Sequence, residues 1–148
     1  MSLKQRLSQE RTEALRGGDK VRLATLRLLS AAVKNREVEL GHDLDDEEFV
    51  QVAQREAKQR RESMEAFDRG GRSDLVARER EELDVLRGYL PPELSAGEID
   101  AIVEKTIAST GASGPGDMGK VMGAVMAEVG GRADGKDVQA RVRARLGT

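Results

Sequence analysis

The sequence predicts an all-α protein made of two unlike helical bundles, four helices in residues 1–90 and three in residues 93–148. Three observations predict it. Apolar residues recur at three- and four-residue spacing in almost every segment, and no run alternates with the period of two that a half-buried strand needs. Phe49, Phe67 and Tyr89 are the whole aromatic complement, so the cores must be assembled from Leu, Val, Ile, Ala and Met, side chains suited to packing helix on helix. Finally, the segments are punctuated by residues that stop and start helices, and Pro91-Pro92 is a break no helix can run through.

Ser2 is placed to cap a first helix with Leu3, Leu7, Ala14 and Leu15 inward, stopped by Gly17-Gly18. Asp19 caps the next, KVRLATLRLLSAAVKNREVEL, whose inner face carries Leu26, Leu29 and Val33 and, one step round, Leu28; Gly41 ends it. The acidic run Asp45-Asp46-Glu47-Glu48 opens a third helix where the helix dipole favours negative charge. Further along that helix, Glu56–Arg60, Lys58–Glu62 and Arg61–Glu65 stand four apart, the pattern of a solvated, ion-paired face. Ser73 opens a fourth helix with Leu75, Val76, Leu83, Leu86 and Tyr89, which closes at YLPPELS. Beyond the prolines, Ser95 and Glu98 spell a capping box ahead of the stripe Ile99, Ile102, Val103, Ile107. The loop STGASGPG leads to two last helices, near 117–129 and 134–146.

Composition excludes several classes of function. A net charge of −2 exerts no global pull on nucleic acid or membrane, and the absence of cysteine removes disulfide and thiolate chemistry. No apolar run approaches the roughly 20 residues that span a bilayer, and the charged N-terminus does not read as a secretory signal, so the expectation is a soluble, cytoplasmic protein without membrane contact. No metal site and no cofactor are expected. The carboxylates of 45–48 are adjacent and fan around a helix instead of forming an oxygen cage. His42 has neither a ligand cluster nor an acid–base partner in sequence, and Tyr89 sits among leucines as a packing residue.

GGRADGKD, Gly130–Asp137, contains most of a phosphate-binding loop. A working one needs a buried strand before it, a Ser or Thr after the Lys and a carboxylate on another strand. Here KVMGAVMAEV precedes it at helical spacing, and Asp137 follows Lys136. The better reading is a helix stop at Gly130-Gly131 followed by Asp134 as the cap of the next helix. The preceding helix is stranger. Met118, Met122 and Met126 recur every four residues, with Gly119 and Gly123 between them. Glycine inside a helix costs about 1 kcal/mol against alanine. Close approach of a neighbouring helix is the favoured reason, and admission of an RNA backbone the alternative.

MGKVMGAVM followed by GGRADGKDVQARVRARL resembles the GatB/YqeY motif, the tail domain of the B subunit of glutamine-dependent aspartyl/glutamyl-tRNA amidotransferase. LRLLSAAVKNREVELG, RRESMEAFDRGGRSDL and LRGYLPPELS resemble the free-standing YqeY-like proteins, so the resemblance covers essentially the whole chain. It implies a four-helix bundle followed by a three-helix domain, with tRNA as ligand and an aminoacyl-tRNA synthetase or amidotransferase subunit as possible protein partner. It also implies the family's activity, a carbon–nitrogen ligase with glutamine as amido-N-donor, for which no intrinsic catalytic constellation is present: no cysteine nucleophile, no Ser/Lys amidase signature, no carboxylate-activating phosphate loop. Three readings follow. They are a non-catalytic tRNA-binding or accessory module, an amidotransferase component active only in a complex, and a helical protein–protein adaptor using the Met stripe if exposed. With so few aromatics to stack bases, RNA contact would be made to the backbone. The residues expected to make it are Lys120, Arg132 and Lys136, with Arg141 nearby and Gly119 and Gly123 allowing close approach. In the first bundle, Arg27, Lys34, Arg36, Arg60 and Arg61 are candidates to gather on one face.

Overall fold

The computed structural model describes residues 1–147. Its elements are α1 (Leu3–Gly17), α2 (Lys20–Leu40), α3 (Asp46–Arg69), α4 (Ser73–Arg87), α5 (Ala96–Thr110), a 3-10 turn (Pro115–Asp117), α6 (Met118–Val129) and α7 (Gly135–Leu146), with no strand among the described residues. The fold is all-α. The chain divides into two compact units, Met1–Pro91 and the part from Pro92 onward, each with its own core.

Helix starts follow the capping chemistry written in the sequence. Ser2, Asp45 and Ser95 each accept a hydrogen bond from the backbone three residues on, and Gln5, Glu48 and Glu98 reach back to complete the box. Helix α4 begins at Ser73 as expected but starts without a capping side chain. Ser73 is its first residue, Arg72 occupies the cap position without a side-chain bond, and the Arg72 guanidinium instead holds Asp74 at 3.1 Å.

In the first unit, Leu26, Leu29, Phe49, Ala53 and Ala57 are completely buried. The alanines of α3 let α4 pack closely. That packing overturns the solvated-face reading around Arg60. Its side chain is only 12% exposed and lies 3.0 Å from Glu82 and 3.6 Å from Glu79, both on α4, with its helical neighbour Glu56 at 4.0 Å. Burial and the adjacent Glu82 raise the Glu79 carboxyl above the ordinary range. Two leucines expected inside are outside: Leu15 is 59% and Leu28 49% exposed.

Glu10 organises the other polar centre of this unit. It accepts from Arg6 Nε at 2.6 Å, Arg22 at 2.8 Å and the Tyr89 hydroxyl at 2.9 Å, while the Arg6 guanidinium lies 4.4 Å from the Tyr89 ring centroid. Partial burial opposes ionisation of Glu10, but the bonds from Arg6 and Tyr89 outweigh it and hold the carboxyl below its usual 4.5. Tyr89 is buried against Phe49, so it packs as expected and also carries a long-range hydrogen bond. Glu37 does a comparable task on α2, accepting from Lys4 Nζ at 2.6 Å and from the Leu44 N–H at 2.9 Å.

Two outcomes follow. Tyr89→Phe removes one donor from a partly buried carboxylate and lowers unfolding free energy by about 1 kcal/mol in urea denaturation, with helicity unchanged by circular dichroism. Because the folded Glu10 carboxyl titrates below its unfolded value, its stabilisation is present above pH 4.5 and is lost as pH falls through the folded pKa. Glu10→Gln therefore flattens the acid limb of the stability profile, and an unchanged limb contradicts the assignment.

Candidate nucleic-acid interface

Helix α6 buries one stripe and bares the other. Val121, Val125 and Val129 are completely buried in the second core together with Val103, Val138 and Val142. Met118, Met122 and Met126 are half-buried and pack against the edge of that core, so they are not an exposed docking stripe. Turning on from the methionines, Gly119, Lys120, Gly123, Ala124 and Ala127 are exposed. A Cβ added to Gly119 or Gly123 would meet nothing within 4 Å. This overturns the helix-packing explanation of the two glycines: no neighbouring helix uses the space they leave. The outer face of α6 is a smooth backbone strip with the cation Lys120 on it and the exposed Glu128, 3.8 Å from Lys105, at its edge.

Lys120 is exposed, and its Nζ donates to the Thr110 carbonyl, the last residue of α5, at 3.3 Å. An ammonium at a helix C-terminus meets the negative end of the dipole. Arg132 is half-buried; its Nε donates to the Val129 carbonyl at 3.4 Å and its own carbonyl accepts from the Leu94 N–H at 2.8 Å. The segment after the prolines is thereby tied to the corner between α6 and α7. Lys136 is exposed in the first turn of α7, the end at which a dipole disfavours a cation. Lys120 lies in the first turn of α6 and Arg132 beyond its last, roughly 14–18 Å apart along the axis at 1.5 Å per residue. These cations mark the two ends of the strip and do not form one cluster.

Arg141 stands apart from them. It donates to both carboxylate oxygens of Asp100 at 3.1 Å and to Asp137 at 3.3 Å. One turn on, Arg145 pairs with Glu104. The two arginines of α7 thus zip onto two carboxylates of α5 with the same four-residue spacing. Sequence reasoning missed this because the partners lie 41 residues away, although the matched spacing of Asp100/Glu104 and Arg141/Arg145 was the available signal. The corner itself is as read: Gly130 and Gly131 both take positive φ, 58° and 84°, a left-handed turn closed to most side chains. Asp134 caps α7 through the Lys136 N–H. A helix stands where a phosphate-binding loop needs a strand.

Elsewhere, His42 is exposed but not solitary. Its Nδ1 lies 2.8 Å from the Asp43 carbonyl and its Nε2 3.5 Å from Glu48. The carbonyl first, then Glu48, raise its pKa. Among the described residues no group of three or more His, Cys, Asp or Glu is arranged to hold a metal, and no helix is long and apolar enough to cross a membrane.

Comparison with known proteins gives the lineage. The family described as Yqey-like protein matches residues 4–146. Curated relatives are named "Altered inheritance of mitochondria protein 41, mitochondrial". The one from Lachancea thermotolerans is 34% identical over 112 residues, 74% of this chain and 60% of the relative. The one from Pyrenophora tritici-repentis is 31% identical over 145 residues, 96% of this chain and 80% of the relative. The one from Eremothecium gossypii is 33% identical over 98 residues, covering 54% of its own length. These names place those relatives in mitochondria and lend no support to the cytoplasmic expectation.

The open glycine face yields a direct prediction. Gly119→Ala and Gly123→Ala each raise unfolding free energy by about 0.5–1 kcal/mol, read as an increased urea midpoint at unchanged slope. Destabilisation by either would return the glycines to a packing role.

Proposed function

We propose that this chain, which belongs to the Yqey-like protein family, is a non-catalytic RNA-binding accessory module with tRNA as its ligand. The observation that carries this reading is the bare face of α6. Gly119 in the first turn of α6 and Gly123 in its middle both lower helix stability, and nothing within the unit occupies the space they open. A use for that space therefore lies outside the chain. A smooth backbone strip with Lys120 at one end and Arg132 and Lys136 at the other suits a sugar–phosphate backbone, which is recognised by shape and charge without base stacking. Arg141 is engaged with Asp100 and Asp137 and is assigned to holding α7 on α5.

The resemblance of residues 118–146 to the amidotransferase tail supports tRNA over other RNA and makes a synthetase or amidotransferase subunit the natural protein partner. Membership of an amidotransferase complex rests on that resemblance alone. The mitochondrial names of the relatives fit the same reading, since translation with its own tRNA pool proceeds in mitochondria as in the cytoplasm. The half-buried methionines weaken the Met-stripe adaptor.

Binding of unfractionated tRNA, followed by filter retention across a salt series, tests the proposal. Three phosphate contacts give a log–log salt slope of roughly −2. Lys120→Glu with Lys136→Glu reduces affinity at least about tenfold and flattens the slope, whereas Arg141→Gln leaves the slope unchanged. Gly119→Leu with Gly123→Leu weakens binding while raising stability, a combination that separates an external use of the glycines from a folding defect. Absence of binding at low salt, or indifference to the glycine pair, removes the proposal.

A further inference from the structure

A second unpartnered surface lies in the first unit, on α1 and α2. Of the large apolar side chains left exposed, Leu15, Val21, Leu28 and Val38 all belong to these two helices, Val38 at 77% exposure. At about 100° per residue, Lys20, Arg27, Ala31, Lys34 and Val38 fall within one stripe roughly 60° wide, with Leu28 beside it. That stripe holds no carboxylate. The only acids of α2 are Glu37, engaged with Lys4, and Glu39, which pairs with Arg36 at 2.8 Å. Of the basic residues expected to gather, Arg27 and Lys34 do share this face, whereas Arg60 is buried against α4.

A groove of about 220 Å³ runs alongside, between α1 and α2. Buried Leu7 and Val33 form part of its lining, Arg11 and Lys34 flank it, and the Lys4–Glu37 pair contributes to its wall. Neither the Arg11 nor the Lys34 side chain makes a hydrogen bond or ion pair with any described residue. Two unspent cations thus border an apolar trough.

We propose that this face docks an acidic amphipathic helix of a partner protein, an apolar side chain of that helix entering the α1/α2 groove while its carboxylates meet Arg11, Arg27 and Lys34. Charge complementarity selects the occupant: Glu37 is already paired with Lys4, so the unpaired charges of this surface are cationic, and beside Ser8, Ser30 and Asn35 its neutral side chains are apolar. The volume falls below the roughly 300 Å³ at which small-molecule pockets begin and suits a single anchoring side chain. Nucleic acid has no use for the exposed Leu28 and Val38, and no aromatic stands here to stack a base. A membrane surface requires a continuous apolar helix face, but Leu26, Leu29 and Val33 of α2 are already spent in the core.

A photo-reactive amino acid at Ala31 of the full chain, irradiated in the cells of origin, identifies the occupant. The expected product is a crosslink to one protein, mapped to a segment in which Asp or Glu flank apolar residues spaced three or four apart. A synthetic peptide of that segment binds the purified chain in fluorescence anisotropy and loses at least about tenfold in affinity on Arg11→Glu with Lys34→Glu, a pair whose removal breaks no internal bond. Arg11→Lys with Lys34→Arg retains binding. Crosslinks to RNA, lipid, a second copy of this chain or a neutral segment overturn the proposal, as does no crosslink, or a peptide affinity indifferent to charge reversal. The same charge-reversed variant keeps its tRNA affinity, so failure here is distinguishable from failure of the RNA reading.

Discussion

The second unit depends on one-sided burial of a short helix. Three valines four residues apart bury their side chains completely, and they suffice to close α6 against α5 and α7. Because β-branched side chains pack densely in few rotamers, the inner face needs no aromatic. The half-buried methionines fill the flank, where a flexible side chain adapts to an irregular edge. The outer face is then free of any packing requirement. Glycine there is not demanded by the fold, and this is the physical reason the strip is open to assignment elsewhere.

The first unit meets the shortage of aromatics differently. Its small core side chains, above all Ala53 and Ala57, bring helices close, and polar groups are drawn into the interior with them. Charge is accommodated by crowding partners around a hub. Glu10 gathers two arginines and a tyrosine hydroxyl, and Arg60 gathers Glu56, Glu79 and Glu82. The two hubs differ in balance. The Glu10 hub places cations around one carboxylate and favours its ionisation, whereas in the Arg60 hub burial first, and then the neighbouring Glu82, raise Glu79. Buried pairs of this kind contribute modestly to net stability but strongly penalise loss of one member.

Local chemistry was legible in the sequence and distant pairing was not. The capping box of Ser95 and Glu98 and the helix stop at Gly130-Gly131 depend on residues a few positions apart, so the alphabet spells them, although the reciprocal bonds of Gln5 and Glu48 at the first and third helix starts went unread. Arg60 shows the opposite. Its helical neighbour Glu56 invited a surface ion pair, but the closer partners stand on α4. Arg141 likewise read as a cation available to RNA until α5 brought Asp100 beside it. Leu15 and Leu28 failed for a related reason: periodicity marks an apolar face but not where its edge stops being covered. The glycines of α6 were the hardest case, since a glycine that admits a neighbour and one that admits nothing are written identically.

This distinction sorts the basic residues by physical task. Arg22, Arg60, Arg141 and Arg145 hold carboxylates on other helices, while Arg6 holds Glu10 on its own helix and lies over the Tyr89 ring; reversing any of them would disturb packing before it disturbed a ligand. Lys120 and Arg132 hold helix-terminal carbonyls through neutral acceptors, at 3.3 and 3.4 Å. Such bonds do not themselves neutralise the positive charge, so each cation is oriented by the fold and still electrostatically available, although Arg132 shares its field with the Glu98 carboxylate. The side chains of Arg11 and Lys34 have no hydrogen-bond or ion-pair partner among the described residues. A chain of net charge −2 therefore shows two locally cationic surfaces because its carboxylates are spent elsewhere, many on arginines at helix contacts. The surfaces differ in what surrounds the charge: bare backbone on α6, which a phosphate chain can approach, and exposed leucine and valine on α1 and α2, which only another apolar face can cover.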